Sequence, residues 1–487
     1  MINASIFLLL HSPCKWNKDA IFKTTQKYEL ARIAVIPSIL EDCVIYHDKV
    51  IMSDRIQQAH NIAIIGEAPT TGDEAIAIGL CKALLKEFPD AKFTVFTSRP
   101  KLYRTIKNQC DSTVTEVSGP GSSYQSKWSR YAFAISLLTG ITKLWRNHPF
   151  SQKALQISQS HRLIFLQGGP AWAESLVGSP RALLGKLLFL SALKRDNCQV
   201  FSLGQSVGMI PAMTVTKKIL CRLLLKRALS TLSAMAPRDQ ESLVLIEDLI
   251  PRAASQGVDT ALGIKQCVKP SNPDKLEALT RRRVGLCVRD FQSYYGHEQH
   301  RDRYITEFAQ LIDRLHFLEF EIVWIATDYR EDSGKLSDLD MISLIVRRCS
   351  IYEASHNLPL HNGALDPHEI LAVSETLDLV ISTRLHPIIL SSLNCVPSIS
   401  ISYDKKCRRF MESIGMDTFC MNLATFNAKE TESNLLKLIE KHQQFRISIY
   451  EAIRDQQNLL QKQISLIAEQ IRENNSLSNE SLSSYRS

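Results

Sequence analysis

The sequence lacks the features that would place it in several common protein classes. Its longest apolar stretches, residues 131–141 and 182–193, are shorter than the roughly 20 residues that span a bilayer. The start of the chain carries a short apolar run with no basic residue before it, which is too short for the core of a signal peptide. We therefore expect neither a membrane span nor export.

Paired cysteines are also absent. The 12 cysteines occur singly, with no C-x-x-C pair and no regular spacing, so neither a disulfide framework nor a zinc site is indicated. We interpret them as reduced core residues of a cytoplasmic protein. His356, His361 and His368 match no usual ligand spacing, and we expect no metal.

The charge balance is mildly basic. The chain has 58 Lys and Arg against 50 Asp and Glu, a net charge of +8, which fits an anionic substrate or a membrane surface. The charge is spread along the chain, no nucleic-acid-binding motif accompanies it, and we expect no nucleic-acid partner. Residues 217–232, KKILCRLLLKRALSTL, combine five basic residues with leucines. They could lie on an acidic bilayer at the inner membrane, although a solvated helix packed on a core is the commoner case.

What is present is an alternation of strand-like and helix-like segments. NIAIIG, KFTVFTS, RLIFLQGG and QVFSLGQS alternate with helical segments, and VGLCVRD, EIVWIATD, DLVIS and PSISISY follow after a polar stretch near residue 270. This pattern predicts parallel sheets with both faces covered. We predict an N-terminal extension (1–59), two Rossmann-like domains (60–270 and 271–421), and a helical, then polar and disordered tail (422–487).

The stretch STRLHP, just after DLVIS, is the most suggestive chemical motif. Pro387 favours an extended His386 and a helix that starts at the proline, so Arg384 and His386 should face one spot beside a helix N-terminus. Free N–H groups there favour an anion. The alternative is structural, with Arg384 paired to a carboxylate and His386 a half-buried, satisfied histidine.

Other turns with polar residues or glycine also follow strand-like segments. Gly72, Asp73 and Glu74 form a turn that delivers two carboxylates to a helix start, where they could act chemically or only cap the helix. Gly168, Gly169 and Gln205 lie at further strand ends, where glycine lets a ligand approach the backbone. None of these turns carries a dinucleotide-binding fingerprint or a P-loop motif.

Two arginines end strand-like segments, each followed by an aspartate. Arg238 and Arg289 could pair internally or present a planar fork to a carboxylate or phosphate. The internal ion pair is the simpler interpretation.

The order of these motifs resembles the polysaccharide pyruvyl transferase family. GDEAI, LQGG, GQSVG, RDQES and STRLHPIILSSLNCVPSISISYDKK follow one another as in that family, over about residues 60–416. Pro170 and the loop at Met209-Ile210 depart from the family pattern. The resemblance implies two Rossmann-like domains facing a cleft, as in GT-B glycosyltransferases. It also implies transfer of pyruvate from phosphoenolpyruvate to a sugar as a ketal, in making bacterial cell-surface glycans or exopolysaccharides.

The resemblance and the residues together suggest roles. Arg384, the helix start at Pro387, Tyr403 and Lys405 would hold phosphoenolpyruvate, and His386 would be the general acid. Asp73 or Glu74 would orient or deprotonate the acceptor hydroxyl. No cofactor is implied beyond phosphoenolpyruvate as donor substrate, and the acceptor would be a nucleotide- or lipid-linked sugar or oligosaccharide.

Two other functions remain open at this point. One is a GT-B glycosyltransferase that uses a nucleotide sugar. Such an enzyme would need a carboxylate in the second domain to bind the ribose, whereas STRLHP supplies a cation there. The other is a non-catalytic scaffold of a glycan-making complex.

Overall fold

The computed structural model describes most of the chain after residue 60. The predicted N-terminal extension, the helical stretch at 131–141 and most of the polar stretch near residue 270 lie outside the described residues. The described residues belong to one compact unit, Gln58–Ser487. They are 61–66, 70–97, 105–110, 112–116, 149–172, 177–208, 214–252, 254–270, 282–290, 300–328, 336–350 and 364–484.

The first sheet is parallel throughout its described strands, in the order β3-β2-β1-β4-β6-β8. Its apolar strand residues are buried on both faces, as the uninterrupted apolar runs predict. A small parallel pair, β5 with β7, lies beyond the ends of β4 and β6. The strands are β1 (Asn61–Ile65), β2 (Lys92–Thr97), β3 (Ser112–Glu116), β4 (Leu163–Leu166), β5 (Gly169–Trp172), β6 (Gln199–Leu203), β7 (Gln205–Val207) and β8 (Ala234–Ala236).

Helices connect these strands. Ser179 and Asp239 each cap one of them, since each accepts a hydrogen bond from a backbone N–H in the first turn of the helix that it precedes. The helices are α1 (Thr71–Leu85), α2 (Ile106–Gln109), α3 (Pro149–Ser158), α4 (Pro180–Arg195), α5 (Val215–Leu229) and α6 (Gln240–Leu249), followed by a 3-10 helix (Thr260–Gly263).

The second sheet is also parallel, in the order β10-β9-β11-β12-β13. Its strands are β9 (Arg283–Cys287), β10 (Glu321–Trp324), β11 (Leu379–Ser382), β12 (Ser398–Ser402) and β13 (Cys420–Asn422). Its helices are α7 (Arg301–Phe317), α8 (Asp338–Val346), α9 (Pro367–Ser374), α10 (Leu385–Ser392), α11 (Lys405–Ser413), α12 (Ala428–Glu440) and α13 (His442–Ser484). The predicted α/β fold with two parallel sheets is confirmed.

Each sheet has a point where the strand order reverses. The chain moves outward in one direction from β1 to β2 and β3, and in the other direction from β4 onward; the second sheet does the same at β9 and β11. Ligands of open parallel sheets bind at the carboxyl ends of the strands that flank such a reversal. The two reversals are therefore the first places to look for a site.

The long helix α13 returns to the first half of the chain. The side-chain amide of Gln457 donates to the carbonyls of Leu262 and Lys265, and the Ser465 hydroxyl donates to Glu87 at 2.6 Å. The polar end of the chain, expected to lack regular structure, is helical as far as Ser484. Once a buried stripe has fixed a helix, each further residue extends it at little cost.

No helix among the described residues combines the length and the apolar content that crossing a bilayer requires.

Candidate functional site

The carboxyl edges of the two sheets meet at the start of α1. Thr71, the first residue of α1, donates its backbone N–H to the carbonyl of Thr327, which follows β10, at 3.2 Å. Its hydroxyl donates to the carbonyl of Leu365 at 2.7 Å. A helix leaves its first N–H groups without intrahelical partners, and here the opposite sheet supplies one acceptor. The first reversal point thus faces the second.

Asp73 lies in the first turn of α1, at this junction. Its carboxylate accepts a hydrogen bond from the Thr70 hydroxyl at 2.7 Å, and the Gln167 side chain, just after β4, donates to its backbone carbonyl. Burial raises the pKa of Asp73 to about 6, and the Thr70 hydroxyl and the cations Lys406 and Arg238 limit the rise. A carboxyl group held in this range can both donate and accept a proton near neutrality.

Glu74 has a different role from the one considered for it. One of its carboxylate oxygens accepts from the backbone N–H groups of Thr105 and Ile106, at 2.7 and 3.2 Å, and from the Thr105 hydroxyl. It therefore caps the start of α2. Glu74 is thus engaged in three hydrogen bonds, whereas the Asp73 carboxylate accepts one, from Thr70.

The STRLHP motif departs from its predicted geometry. Helix α10 begins at Leu385, two residues before Pro387, and Arg384 is its extended N-cap. Proline is accepted at this third helical position because the N–H that it lacks would have no intrahelical partner there. His386 is therefore helical, and it does not share an extended segment with Arg384.

Arg384 is engaged in a buried ion-pair cluster. Its guanidinium donates to Asp338 at 3.2 and 2.5 Å and to Asp328 at 3.0 Å. Asp338 is fully buried, and its second oxygen accepts the backbone N–H groups of Thr327 and Asp328. The structural alternative for Arg384 is confirmed, because its fork clamps the loop after β10 to the start of α8.

His386 lies at the junction, whereas Arg384 does not accompany it there. Its ring lies against Gly72 so closely that a Cβ on Gly72 would stand 2.0 Å from Nδ1. Its Nε2 is buried without a hydrogen-bond partner and lies 4.0 Å from a carboxylate oxygen of Asp259. Burial lowers the pKa of His386 to about 4, and the cations Arg238, Lys406 and Arg384 lower it further against the opposing effect of Asp259. With this pKa the histidine is neutral at pH 7. Its Nε2 lacks the hydrogen bond that a structural histidine would make.

Two cations, Arg238 and Lys406, lower the pKa of both His386 and Asp73 by their charge. Arg238 donates to Asp259 at 2.5 Å and to the Ser206 hydroxyl at 2.8 Å. Lys406 pairs with Asp404 at 3.0 Å and lies over the Tyr403 ring at 5.3 Å from its centroid. Both cations influence the two titrating groups at once. The junction therefore holds a histidine, a carboxyl group and two cations.

Lys405, the lysine selected from the sequence, is on the surface. Its side chain is 69% exposed and lies 3.5 Å from Glu241, whereas the Lys406 side chain is 31% exposed. Asp404 caps α11, so adjacent residues in its first turn face in different directions. Of the two lysines, Lys406 is the one whose charge acts on Asp73 and His386.

Arg289 and Tyr403 form a contact on the second sheet. The Arg289 guanidinium, two residues beyond β9, donates to the Tyr403 hydroxyl, and its centre lies 4.9 Å from the ring centroid. Tyr403 is buried, and Lys406 also lies against its ring. Two cations thus converge on one aromatic ring at the carboxyl edge.

The glycine turns and Gln205 serve the small sheet. The Gln205 side chain donates to the Gln167 carbonyl and accepts from Trp172 and Ser202, all at 2.7 Å, which leaves it committed to internal bonds. Gly169 pairs with Gln205 in the β5–β7 ladder. A Cβ on Gly168 would stand 3.0 Å from the Gly204 carbonyl oxygen. These residues shape the edge near Asp73 through Gln167.

Sequence reasoning missed four charged residues: Asp259, Asp328, Asp338 and Lys406. Asp259 is the N-cap of the 3-10 helix and Asp338 is the first residue of α8, after the N-cap Ser337, so a search for helix starts could have found both. Nothing local indicates that Asp259 or Lys406 faces His386. His356 and His361 lie outside the described residues, which contain no group of three side chains arranged to hold a metal. The described cysteines are free.

Comparisons with known proteins decide the family. The model of the family described as "Polysaccharide pyruvyl transferase" matches residues 71–405, more than half of the chain. The chain belongs to the polysaccharide pyruvyl transferase family. Its matched region begins at the first residue of α1 and ends at the start of α11, so it contains Asp73, Arg238, Asp259 and His386 but neither Thr70 nor Lys406. No curated protein sequence matches significantly.

Solved structures of GT-B enzymes resemble this member of the pyruvyl transferase family in fold. A structure described as a UDP-N-acetylglucosamine 2-epimerase from Listeria monocytogenes is 9% identical, with a TM-score of 0.51 over 85% of this chain and 97% of the other. TcCGT1 in complex with UDP is 10% identical, with a TM-score of 0.50 over 85% and 99%. Anabaena Alr3699/HepE with UDP and glucose is 14% identical, with a TM-score of 0.47 over 86% and 99%. The predicted GT-B-like fold is confirmed.

Proposed function

We propose that this protein transfers pyruvate from phosphoenolpyruvate to a sugar as a ketal, in the synthesis of a bacterial cell-surface glycan or exopolysaccharide. The observation that carries the proposal is the junction itself. His386 and Asp73 come from different halves of the chain and lie in the field of the same two cations, Arg238 and Lys406. Family membership supports a transferase, and this cluster supplies residues suited to the specific reaction.

The donor would bind through its two anionic groups. Phosphoenolpyruvate carries a carboxylate and a phosphate, which suit guanidinium and ammonium groups held at a strand edge. Arg238, Arg289 and Lys406 are the candidates. Arg384 is held between two buried carboxylates, Asp328 and Asp338, whereas Arg238 and Lys406 each pair with one carboxylate and Arg289 donates to Tyr403. This assignment moves donor binding from Arg384 and Lys405 to three other cations.

The reaction balances with two hydroxyls of one sugar. One hydroxyl adds to C2 of phosphoenolpyruvate while C3 takes a proton and becomes a methyl group. The second hydroxyl then adds to C2, the bond from C2 to the phosphate oxygen breaks, and its proton leaves with the phosphate. Two protons are released from the sugar, one ends on C3 and one on phosphate, so a single acid–base pair can serve both steps.

His386 would be the acid once the donor is bound. In the ligand-free protein burial and the cations keep it neutral, with its pKa near 4. Bound phosphoenolpyruvate brings negative charge beside those cations, and a nearby opposite charge raises the pKa of a histidine. Asp73, whose pKa is about 6, is ionised at neutral pH and would take the proton of the attacking hydroxyl. Donor binding would thus raise the pKa of His386 and allow it to carry the proton that C3 receives.

The test is phosphate release from phosphoenolpyruvate in the presence of candidate glycans, with ketal formation followed by mass spectrometry. His386→Gln should lower kcat by about 100-fold or more with little change in donor affinity. The kcat of the unmutated protein should fall as pH rises through the pKa of the donor-bound histidine, and this limb should vanish in His386→Gln. A histidine that titrates near pH 4 with donor bound, or a protein that binds a UDP sugar but not phosphoenolpyruvate, would refute the proposal.

A further inference from the structure

Helix α5 has two apolar faces. One face, with Cys221, Leu225, Ala228 and Leu229, is buried against the first half of the protein. The opposite face carries four large apolar side chains that are between 46% and 74% exposed: Val215, Ile219, Leu220 and Leu223. Their spacing of four, one and three residues places them together on the outer side of the helix. A single apolar face is enough to hold a helix on a core, so the second requires another explanation.

The outer face is accompanied by positive charge. Helix α5 contains five cations and no acidic residue: Lys217, Lys218, Arg222, Lys226 and Arg227. Arg222 pairs with Asp248 at 2.8 Å, whereas the two lysines near the start and the two cations near the end are exposed. An exposed apolar stripe between cations is the pattern of helices that lie in the interface of an anionic bilayer.

We propose that the outer face of α5 docks this protein on an anionic membrane surface. The apolar side chains would enter the boundary between headgroups and acyl chains, and the cations would contact lipid phosphates. Each Lys or Arg near such a surface strengthens binding by about fivefold, since about 1 kcal/mol per cation corresponds to that factor. The charge favours a lipid surface over a second copy of the chain, because the same face of two copies would bring like charges together.

The position of α5 gives this docking a consequence for the substrate. The helix connects β7 to β8, so its start lies on the carboxyl edge of the first sheet, the edge that carries Asp73. A bilayer that contacts Val215 and Ile219 would lie at the same edge. If the proposed function holds, this arrangement suits an acceptor glycan anchored to a lipid.

Vesicle flotation tests the docking without any substrate, so its outcome is independent of the proposed reaction. We expect the full chain to bind vesicles that contain phosphatidylglycerol, to ignore vesicles of phosphatidylcholine alone, and to dissociate as salt is raised. Ile219→Ser/Leu223→Ser should lower binding through lost apolar burial, and Lys226→Gln/Arg227→Gln should lower it by about 25-fold through lost charge.

Two control variants match these changes elsewhere on the surface. Phe317→Ser removes an apolar side chain that is 80% exposed on α7, and Lys429→Gln/Lys441→Gln removes two exposed positive charges. Both should bind vesicles as the unmutated chain does. No binding to anionic vesicles, or equal loss in the controls, would overturn the proposal. So would a dimer, seen by sedimentation velocity, that Ile219→Ser/Leu223→Ser splits without any change in vesicle binding.

Discussion

Replacing Arg384 by lysine should damage stability and spare donor binding. The arginine makes three contacts at 3.2 Å or less to two buried carboxylates. A lysine keeps the charge but its single nitrogen cannot reproduce the fork. Loss of one or two charge-assisted hydrogen bonds should lower the free energy of unfolding by about 2–4 kcal/mol. Arg384→Met, which leaves Asp328 and Asp338 without this cation, should cost about 3–5 kcal/mol.

The assay is equilibrium unfolding in urea, followed by circular dichroism, together with calorimetric binding of phosphoenolpyruvate to the folded variant. Arg314→Lys is the matched control, because Arg314 makes a surface pair with Glu432 that should contribute about 0–1 kcal/mol. Folded Arg384→Lys should bind the donor nearly as the unmutated protein does. An unchanged urea midpoint combined with a loss of donor affinity of about tenfold or more would refute the reasoning, because it would mean that Arg384 leaves its carboxylates to bind the substrate.

Three further changes test the junction. Asp73→Asn should raise the free energy of unfolding at pH 7.5 by up to roughly 3 kcal/mol. The pKa of Asp73 is about 6 in the folded chain and lower in the unfolded chain, so ionising this carboxyl group costs stability that asparagine does not lose. Urea titrations at several pH values should show that the gain disappears toward pH 4. Lys406→Gln should weaken phosphoenolpyruvate binding by about tenfold or more, as measured by calorimetry, whereas Lys405→Gln should not; equal effects would contradict the assignment of Lys406. Gly72→Ala should lower kcat and leave KM for the donor nearly unchanged in steady-state assays, because the new methyl group displaces the His386 ring; unaltered turnover would show that the ring position is unimportant.

The sequence predicted the strands and helices well because their apolar runs are long and uninterrupted. It located the carboxyl edges correctly, and for that reason it selected Asp73 and His386, which lie at the junction of the two sheets. It failed where the outcome depends on contacts between distant segments. Whether the Arg384 fork is free depends on Asp338, which lies 46 residues away, and nothing near STRLHP reveals that partner.

Adjacent residues were the second source of error. Asp73 and Glu74 are neighbours in α1, as Lys405 and Lys406 are in α11. Glu74 is buried against the start of α2 and Lys405 is exposed, whereas Asp73 and Lys406 lie at the junction. A helix turns by about 100° per residue, so a motif identifies the turn but not which of its side chains faces the site. Only the packing of the helix on its sheet decides that.

The return of α13 to the first half has a consequence for synthesis on the ribosome. Gln457 is made 195 residues after Leu262, whose carbonyl it satisfies. At about 5–20 residues per second, Gln457 is therefore synthesised about 10–40 s after Leu262. During that interval the surface that α13 covers is open to chaperones or to other nascent chains. A stop codon before α13 would make the exposure permanent.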